Sequence, residues 1–527
     1  MPESGETTGV QPELQETGLA PVTSSADVLR GGAWFAASRY IPQFYTLAVS
    51  IVAARYLGPD GMGRQSFIAF ISLSLTTLLS APLYVSLMRY VGETIGKGEP
   101  GAARGLLAWA WRIEAAAAAL GAGVLILAAA LGADPQAAWV LAGAVTAMGI
   151  LHAVPTAVLF GLQRLRQASV VGLVTGAVGV GVTTGVLALG YGIVGMFAAE
   201  AAISTVNLVW TGTLARRSLI RAAPQPARSD DLQRRVTRYA LASSLGVILS
   251  LIVARRSEVL FLDAYSTNEQ IAFYSISFAF MTALVQIPYA LAASVAPAFA
   301  TLFGAGEYGR MHAGYVRGLR LLLVFSMPVM ALGIALGPEL LSLLYGQSYN
   351  GTGLVLVVLL AVFPLMPLVS LSNALLIGYG RVRAPLAANV LAAVVDVGLA
   401  AVLTGPFGAI GAACANVGGV IASGILILFY ASRLAAPTDV QPAALFRGAI
   451  AAGIAGAAAW SLVYSIGGLA GIIAGGAAAL LVFAILAPAL RILPSTDAVW
   501  LDNIMGDKLG GRVGRYVKLC AAHGRTR

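Results

Sequence analysis

Long apolar runs recur along the whole chain of 527 residues. Many of them are about 20 residues long, which is the length that an α-helix needs to cross a bilayer. The runs are continuous and rich in Ala, Leu, Val and Gly, unlike the alternating strands of about ten residues in an outer-membrane barrel. Only 11% of the residues are charged, against about 25% in an average soluble domain. The sequence therefore predicts an all-α integral membrane protein.

The apolar runs predict about fourteen transmembrane helices. Their approximate spans are 33–55, 65–90, 105–131, 137–160, 168–190, 192–215, 238–262, 270–299, 315–338, 352–378, 384–404, 407–431, 445–466 and 468–490. Lys and Arg are concentrated in every second connection, as expected for loops on the cytoplasmic side. This distribution predicts that both termini are cytoplasmic. It also accounts for much of the net charge of +10, which does not indicate nucleic-acid binding.

A repeated pattern divides the chain. The stretch GLQRLRQ begins at Gly161, and GYGRVRA begins 217 residues later at Gly378. Each is followed by an apolar span and a Gly-x-x-Gly corner, at Gly192 and at Gly408, 216 residues apart. The repeat predicts two six-helix lobes with the same orientation in the membrane, a central V-shaped cleft between them and two extra C-terminal helices.

The predicted organisation has five parts. A disordered cytoplasmic tail, 1–28, precedes the N-lobe with its cytoplasmic loop, 29–230; the C-lobe, 231–435, precedes helices 13 and 14, 436–490, and a basic cytoplasmic tail, 491–527. Two interpretations of the last tail remain open, namely an amphipathic helix on the inner leaflet and a solvated segment.

Charged residues inside the predicted spans are the candidate functional residues. Each costs about 2.5–3.5 kcal/mol at the centre of a bilayer and therefore needs a partner or a wet cavity. The basic ones are Arg39, Arg112, Arg255 and Arg256, and the acidic ones are Glu114, Glu200, Glu258 and Asp396. Asn416 joins them because it occupies the position of Glu200 in the second repeat. The alternative for each residue is an interhelical pair that only stabilises the bundle.

The stretch VARRSEVLFLD places Arg255, Arg256 and Glu258 near the outer end of the seventh span. In one interpretation the helix ends at Arg255, the arginines reach the outer headgroups and Glu258 pairs with one of them. In the other, at least one guanidinium faces the central cleft and binds a diphosphate through two parallel hydrogen bonds.

Three motifs resemble a known family. AARYLGPDGMG at 53–63, GPELLSLLYGQSYNGTG at 337–353 and GPFGAIGAACANVGG at 405–419 resemble the polysaccharide flippase branch of the multidrug/oligosaccharidyl-lipid/polysaccharide exporter superfamily. The resemblance covers nearly the whole chain apart from the tails. It implies two bundles around a cleft that opens alternately to each side of the bacterial cytoplasmic membrane. It also implies movement of undecaprenyl-diphosphate-linked glycans to the outer leaflet.

We therefore expect a flippase for oligosaccharide or polysaccharide repeat units in cell-surface or exopolysaccharide biosynthesis. The predicted substrate-binding residues are Arg39, Arg112, Arg255, Arg256 and Glu258, and the predicted coupling or cleft residues are Glu114, Glu200, Asp396 and Asn416. The expected partners are the lipid-linked glycan, membrane lipids, an H⁺ or Na⁺ coupling ion, and a glycan polymerase or glycosyltransferase. No cofactor or metal site is expected.

Two other transporter functions remain open. A cation-coupled multidrug exporter of the same superfamily would use Glu200 and Asp396 for a cationic drug and for H⁺ or Na⁺. A peptidoglycan-precursor flippase is closer to the main prediction, although the basic pattern of its first helix is limited here to Arg39. An enzyme is not expected, because the outside connections are short and contain no nucleophile and base, metal-ligand cluster or phosphate-binding loop.

Overall fold

The structure, a computed structural model, is helical in nearly all of the part that it describes. That part comprises residues 25–222, 227, 229–254, 257–381, 383–435, 442–495, 497–499, 516–517 and 519–521, without the side chains of 25–40, 221–222, 245–254, 287–288, 290–298 and 300. The helices are α1 (Ser25–Gly96), α2 (Pro100–Ala130), α3 (Gln136–Gly161), α4 (Leu165–Ala188), α5 (Gly192–Ala222), α6 (Asp230–Ala254), α7 (Glu258–Tyr265), α8 (Asn268–Gly304), α9 (Tyr308–Tyr345), α10 (Gly351–Leu360), α11 (Leu365–Gly378), α12 (Arg383–Leu434), α13 (Pro442–Ile466) and α14 (Gly468–Leu490).

The multi-pass membrane fold predicted from the sequence is confirmed. Ten helices in the described part of the chain are long and apolar enough to cross a membrane. Two of these helices, α1 and α12, each contain two predicted spans that meet at a glycine with positive φ, Gly58 (69°) and Gly408 (53°). Glycine suits such a corner because it has no Cβ to clash there. The predicted seventh span corresponds to α6 and α7, and the eighth to α8.

The chain divides into two compact units, unit 1 (Met1–Arg256) and unit 2 (Ser257–Arg527). The predicted lobe boundary at 230/231 lies inside unit 1, because the beginning of α6 packs on the other helices of that unit. Leu232 and Val236 of α6 are buried in one apolar cluster with Leu87 of α1. The division into two six-helix lobes therefore stays a prediction.

Small residues bring the helices of unit 1 close together. A Cβ on Gly121 of α2 would lie 3.0 Å from methyl groups of Thr146 and Ile150 on α3. The hydroxyl of Thr146 also lies 2.8 Å from that of Ser72 on α1, so a hydrogen bond joins two spans. Close approach at small residues and interhelical hydrogen bonds are the usual means of helix association in a membrane.

In unit 2, α12 turns back on itself at Gly408. The turn is fixed by Gln270 of α8, whose side-chain oxygen accepts a hydrogen bond from the backbone N–H of Ala409 at 3.0 Å. The two halves of α12 then meet at Gly419, where a Cβ would lie 3.0 Å from the Cβ of Asp396. Glycine at this position therefore lets the second half of α12 pack directly against a carboxyl-bearing residue of the first.

Residues that follow α14 pack against the ends of α9, α13 and α14. Ile492 and Leu493 are buried in this cluster. Asp497 is fully buried, and Arg320 donates two hydrogen bonds to it at 2.8 and 2.7 Å, while Arg317 donates a third at 3.2 Å. Part of the predicted cytoplasmic tail is thus folded onto unit 2. The basic stretch of that tail, which decides between a membrane-surface helix and a solvated segment, lies mainly outside the described residues.

Candidate functional site

Four polar side chains meet inside unit 2, at the place where α7 begins beside α12. Ser257 immediately precedes α7 and Glu258 is its first residue. Asp396 lies in the first half of α12 and Asn416 in the second half. The exposed fractions of Glu258, Asp396 and Asn416 are 0%, 1% and 5%. We call these four residues the carboxyl site.

Each carboxyl group of this site receives one hydrogen bond from a neutral donor. The side-chain amide of Asn416 donates to Glu258 Oε1 at 2.8 Å. The hydroxyl of Ser257 donates to Asp396 Oδ2 at 3.0 Å, and it does not cap α7. The carboxyl groups of Glu258 and Asp396 also interact directly. The second oxygen of each, Glu258 Oε2 and Asp396 Oδ1, has no hydrogen-bond partner among the described residues.

The carboxyl site has the chemistry to hold a positive charge. Two adjacent buried carboxylates cannot both remain ionised unless a cation lies between them, because repulsion and desolvation both oppose the charged form. In the part of the chain that the structure describes, no Lys, Arg or His forms an ion pair with either carboxylate. The arrangement can therefore bind one shared proton. It can also bind a small hard cation through its carboxyl, amide and hydroxyl oxygens.

No metal centre of another kind is found among the described residues, where no group of three or more His, Cys, Asp and Glu side chains is placed to hold an ion. The carboxyl site itself contains only two carboxylates. Its donors are oxygen atoms, which favour hard cations over transition metals.

Of the predicted residues, the structure brings together Glu258, Asp396 and Asn416. Arg112 and Glu200 are exposed on α2 and α5. Glu114 of α2 is 1% exposed, and neither of its carboxyl oxygens has a hydrogen-bond partner in the described part of the chain. The side chain of Arg39 and the residues Arg255 and Arg256 lie outside the described residues.

The sequence grouped Glu258 with the substrate arginines, whereas in the structure its side chain contacts Asn416 and Asp396. The sequence analysis missed Ser257. Serine is common in membrane helices, and its only signal was its position next to Glu258 in an otherwise apolar span. It also missed the contribution of Gly419, although the pair of glycines after Asn416 is visible in the sequence.

Comparisons with known proteins agree with this architecture. The MatE family profile matches residues 239–402, which include Glu258 and Asp396. No curated protein matches the chain significantly. The family match covers the first part of the carboxyl site and ends before Asn416.

Several solved structures share the fold. An inward-facing multidrug resistance MATE family transporter of the MOP superfamily has a TM-score of 0.66 at 16% identity, over 76% of this chain and 96% of that one. The lipid II flippase MurJ, in an inward closed conformation, has a TM-score of 0.68 at 13% identity, over 89% of this chain and 99% of MurJ. A MOP superfamily transporter from Pyrococcus furiosus has a TM-score of 0.56 at 16% identity, over 83% and 100%. These proteins are transporters, and the similarity shows that this chain has their fold.

Proposed function

We propose that the protein is a cation-coupled flippase that moves a lipid-linked glycan from the inner to the outer leaflet by alternating access. The observation that supports a lipid-linked substrate most is the extent of the structural similarity. Two MATE structures are matched over 96% and 99% of their own length but over only 76% and 82% of this chain, whereas MurJ extends the match to 89%. MurJ therefore matches more of this chain than either of these MATE structures does.

The substrate in this proposal is an undecaprenyl-diphosphate-linked oligosaccharide or polysaccharide repeat unit. Guanidinium groups bind diphosphates well because their planar N–H edges match pairs of phosphate oxygens. Arg112 is exposed on an apolar helix and is available for such a contact. Arg39, Arg255 and Arg256 stay candidates from the sequence. The polyprenyl chain remains in the lipid while the headgroup crosses.

The carboxyl site supplies the coupling in this proposal. When a proton or Na⁺ is bound, Glu258 and Asp396 attract the same charge, and α7 packs against both halves of α12. When the cation leaves, the two carboxylates repel each other across that packing. A cation thus changes the relative free energies of two conformations, which is what a coupling ion must do.

Transport of labelled lipids in proteoliposomes tests the function. Fluorescence quenching would measure the flipping of a labelled undecaprenyl-diphosphate glycan, and uptake of a cationic dye would be followed in the same vesicles. Flipping without dye uptake is the expected result. Dye uptake without flipping would contradict the proposal and favour the multidrug alternative, in which Glu200 and Asp396 bind cations.

A peptidoglycan-precursor flippase is the second candidate, because MurJ, which shares the fold, is a lipid II flippase. The same vesicles distinguish the two substrates when labelled lipid II and the labelled glycan lipid are offered separately. Preferential flipping of lipid II would select the second candidate. The role of the carboxyl site would be the same in either case.

A further inference from the structure

An arginine with cation–π contacts to two tyrosines lies on unit 1, where α1 ends and α6 begins. The guanidinium carbon of Arg89 is 4.8 Å from the ring centroid of Tyr239 and 5.4 Å from that of Tyr90. The two rings pack edge to face, with centroids 6.0 Å apart. Because Tyr90 lies on α1 and Tyr239 on α6, two helices position the same guanidinium. We call Arg89, Tyr90 and Tyr239 the arginine–tyrosine site.

The acidic residues near this site are engaged with other bases. Glu93 pairs with Lys97 at 2.6 Å and with Arg235 at 3.2 Å. Asp231 pairs with Arg235 at 3.2 Å. Arg89 itself is exposed and, within the described residues, has no ion pair or hydrogen bond. Among the described residues of the arginine–tyrosine site, no carboxylate neutralises the exposed guanidinium of Arg89.

The geometry leaves that guanidinium ready for an oxyanion. A cation–π contact uses no hydrogen-bond acceptor, and no described residue accepts a hydrogen bond from Arg89, so its N–H donors remain available. The planar edge of a guanidinium forms two parallel hydrogen bonds with a phosphate. The rings also restrict the rotamers of the arginine, so less side-chain entropy is lost when a ligand binds. A single lysine ammonium would have neither advantage.

The position of Arg89 indicates where the phosphate comes from. Arg89 is at the end of the predicted span 65–90, and the following connection, with Lys97 and Arg104, is predicted to be cytoplasmic. The end of a span lies at the level of the lipid headgroups. We propose that the arginine–tyrosine site binds the phosphate group of a membrane lipid at the inner leaflet. The source is either an anionic phospholipid or the diphosphate of a polyprenyl lipid, and only the second source depends on the proposed function.

Binding of short-chain lipids to the purified full-length protein tests this proposal. The probes are dioctanoylphosphatidylglycerol, farnesyl diphosphate and, as a lipid without phosphate, dioctanoylglycerol, each titrated in native mass spectrometry. Arg89→Ala should weaken binding of at least one phosphate lipid about fivefold or more, the loss expected for a charge-assisted bidentate contact. Arg89→Lys should recover only part of the affinity, because an ammonium lacks the planar edge.

Matched variants separate a binding role from a packing role. Tyr239→Phe keeps the ring and should keep the affinity, whereas Tyr239→Ala should lower it. Arg310→Ala is the control, because Arg310 is exposed on the same predicted side but pairs with Glu307. It should leave binding of all three probes unchanged.

The pattern of losses identifies the source of the phosphate. Weaker binding of both phosphate lipids in Arg89→Ala assigns a general phospholipid site, and weaker binding of farnesyl diphosphate alone assigns an entry site for the diphosphate lipid. Unchanged binding of both, or an equal loss for dioctanoylglycerol, would overturn the proposal. If Arg89→Ala does not fold, Arg89→Lys and the two Tyr239 variants give the same decision. Because the readout is binding, a failed flipping assay would not affect it.

Discussion

Two helix pairs, one in each unit, occupy corresponding positions of the predicted repeat, and only the pair in unit 2 contains a carboxyl group. In unit 2, Asp396 packs against Gly419, where a Cβ would lie 3.0 Å from the Cβ of Asp396. At the repeat spacings of 217 and 216 residues, the counterparts in unit 1 are Gly179 on α4 and Ile203 on α5. There a Cβ on Gly179 would lie 3.7 Å from Ile203 Cγ2. Each pair has one glycine, but on opposite helices.

This exchange changes the chemistry of the contact. In unit 1 the space beside the glycine holds an aliphatic side chain, and in unit 2 it holds a carboxyl group. Asn416 and Glu200, which correspond at the repeat spacing of 216 residues, also differ in their surroundings. Asn416 is buried and hydrogen-bonded to Glu258, whereas Glu200 is exposed. Positions that correspond in the predicted repeat therefore differ in residue type and burial, and our proposal assigns cation binding to unit 2.

Removal of one carboxylate should change the stability of the protein more than any other substitution in the carboxyl site. In the wild type, Na⁺ at about 100 times its Kd, or a lowered pH, should stabilise the protein by about 2.7 kcal/mol. Asp396→Asn or Glu258→Gln should lose that gain, because a neutral amide no longer needs the cation. Thermal unfolding in detergent, with choline replacing Na⁺ at constant ionic strength, measures the difference. Glu200→Gln in unit 1 is the control and should keep the stabilisation by Na⁺ or low pH. If Glu200→Gln lost as much of this stabilisation as Asp396→Asn, the comparison between the two units would be contradicted.

A methyl group at each glycine should have the next largest effect. Gly419→Ala places a Cβ 3.0 Å from that of Asp396 and 3.1 Å from the carbonyl oxygen of Ala392, so the two halves of α12 must separate. We expect a loss of about 2 kcal/mol in the free energy of unfolding. Gly179→Ala makes only ordinary contacts and should change it by less than about 0.5 kcal/mol. Chemical denaturation of both variants measures the difference, and equal losses would refute the proposed asymmetry.

Loss of the amide donor should have a smaller effect. Asn416→Leu removes the hydrogen bond to Glu258 Oε1, whose length is 2.8 Å, and leaves that oxygen buried without a donor. The expected cost is about 1–2 kcal/mol. A double-mutant cycle with Glu258→Gln measures how much of this cost depends on the carboxylate. A coupling energy of zero would show that Asn416 acts through packing alone.

Loss of the serine hydroxyl should have the smallest effect. Ser257 is half-buried and donates to Asp396 at 3.0 Å. Because Ser257 is only half-buried, Ser257→Ala should cost about 0.5 kcal/mol, at the lower end for one hydrogen bond. Thermal unfolding should show a small shift and a retained response to Na⁺. A complete loss of the stabilisation by Na⁺ would indicate that Ser257 is as important for cation binding as Asp396.

The sequence predicts the fold well because the bilayer limits the possibilities. A span of about 20 apolar residues must be helical, since every backbone polar group has to be bonded within the segment. The turn of α12 at Gly408 was predictable too, because the Gly-x-x-Gly corner recurs at Gly192. The packing of α6 on α1 was not predictable, because it depends on contacts between distant segments.

The sequence identified three residues of the carboxyl site as candidates, but it did not predict that they meet in space. Glu258, Asp396 and Asn416 each stand out as polar groups in apolar spans. Their meeting depends on how α7 and the two halves of α12 are rotated about their axes, which hydropathy does not specify. Arg89 was harder to recognise, because an arginine at the end of a span matches the ordinary cytoplasmic bias of basic residues. Only the structure shows the ring of Tyr239 beside it.

The central claim is that the carboxyl site couples a cation to lipid movement. The most direct measurement is the flipping rate of the labelled undecaprenyl-diphosphate glycan in proteoliposomes, with and without a Na⁺ or H⁺ gradient, for the wild type and Asp396→Asn. We predict that one of the gradients accelerates flipping by the wild type. Asp396→Asn should flip at a rate that is independent of both gradients. The same gradient dependence in both proteins would contradict the claim.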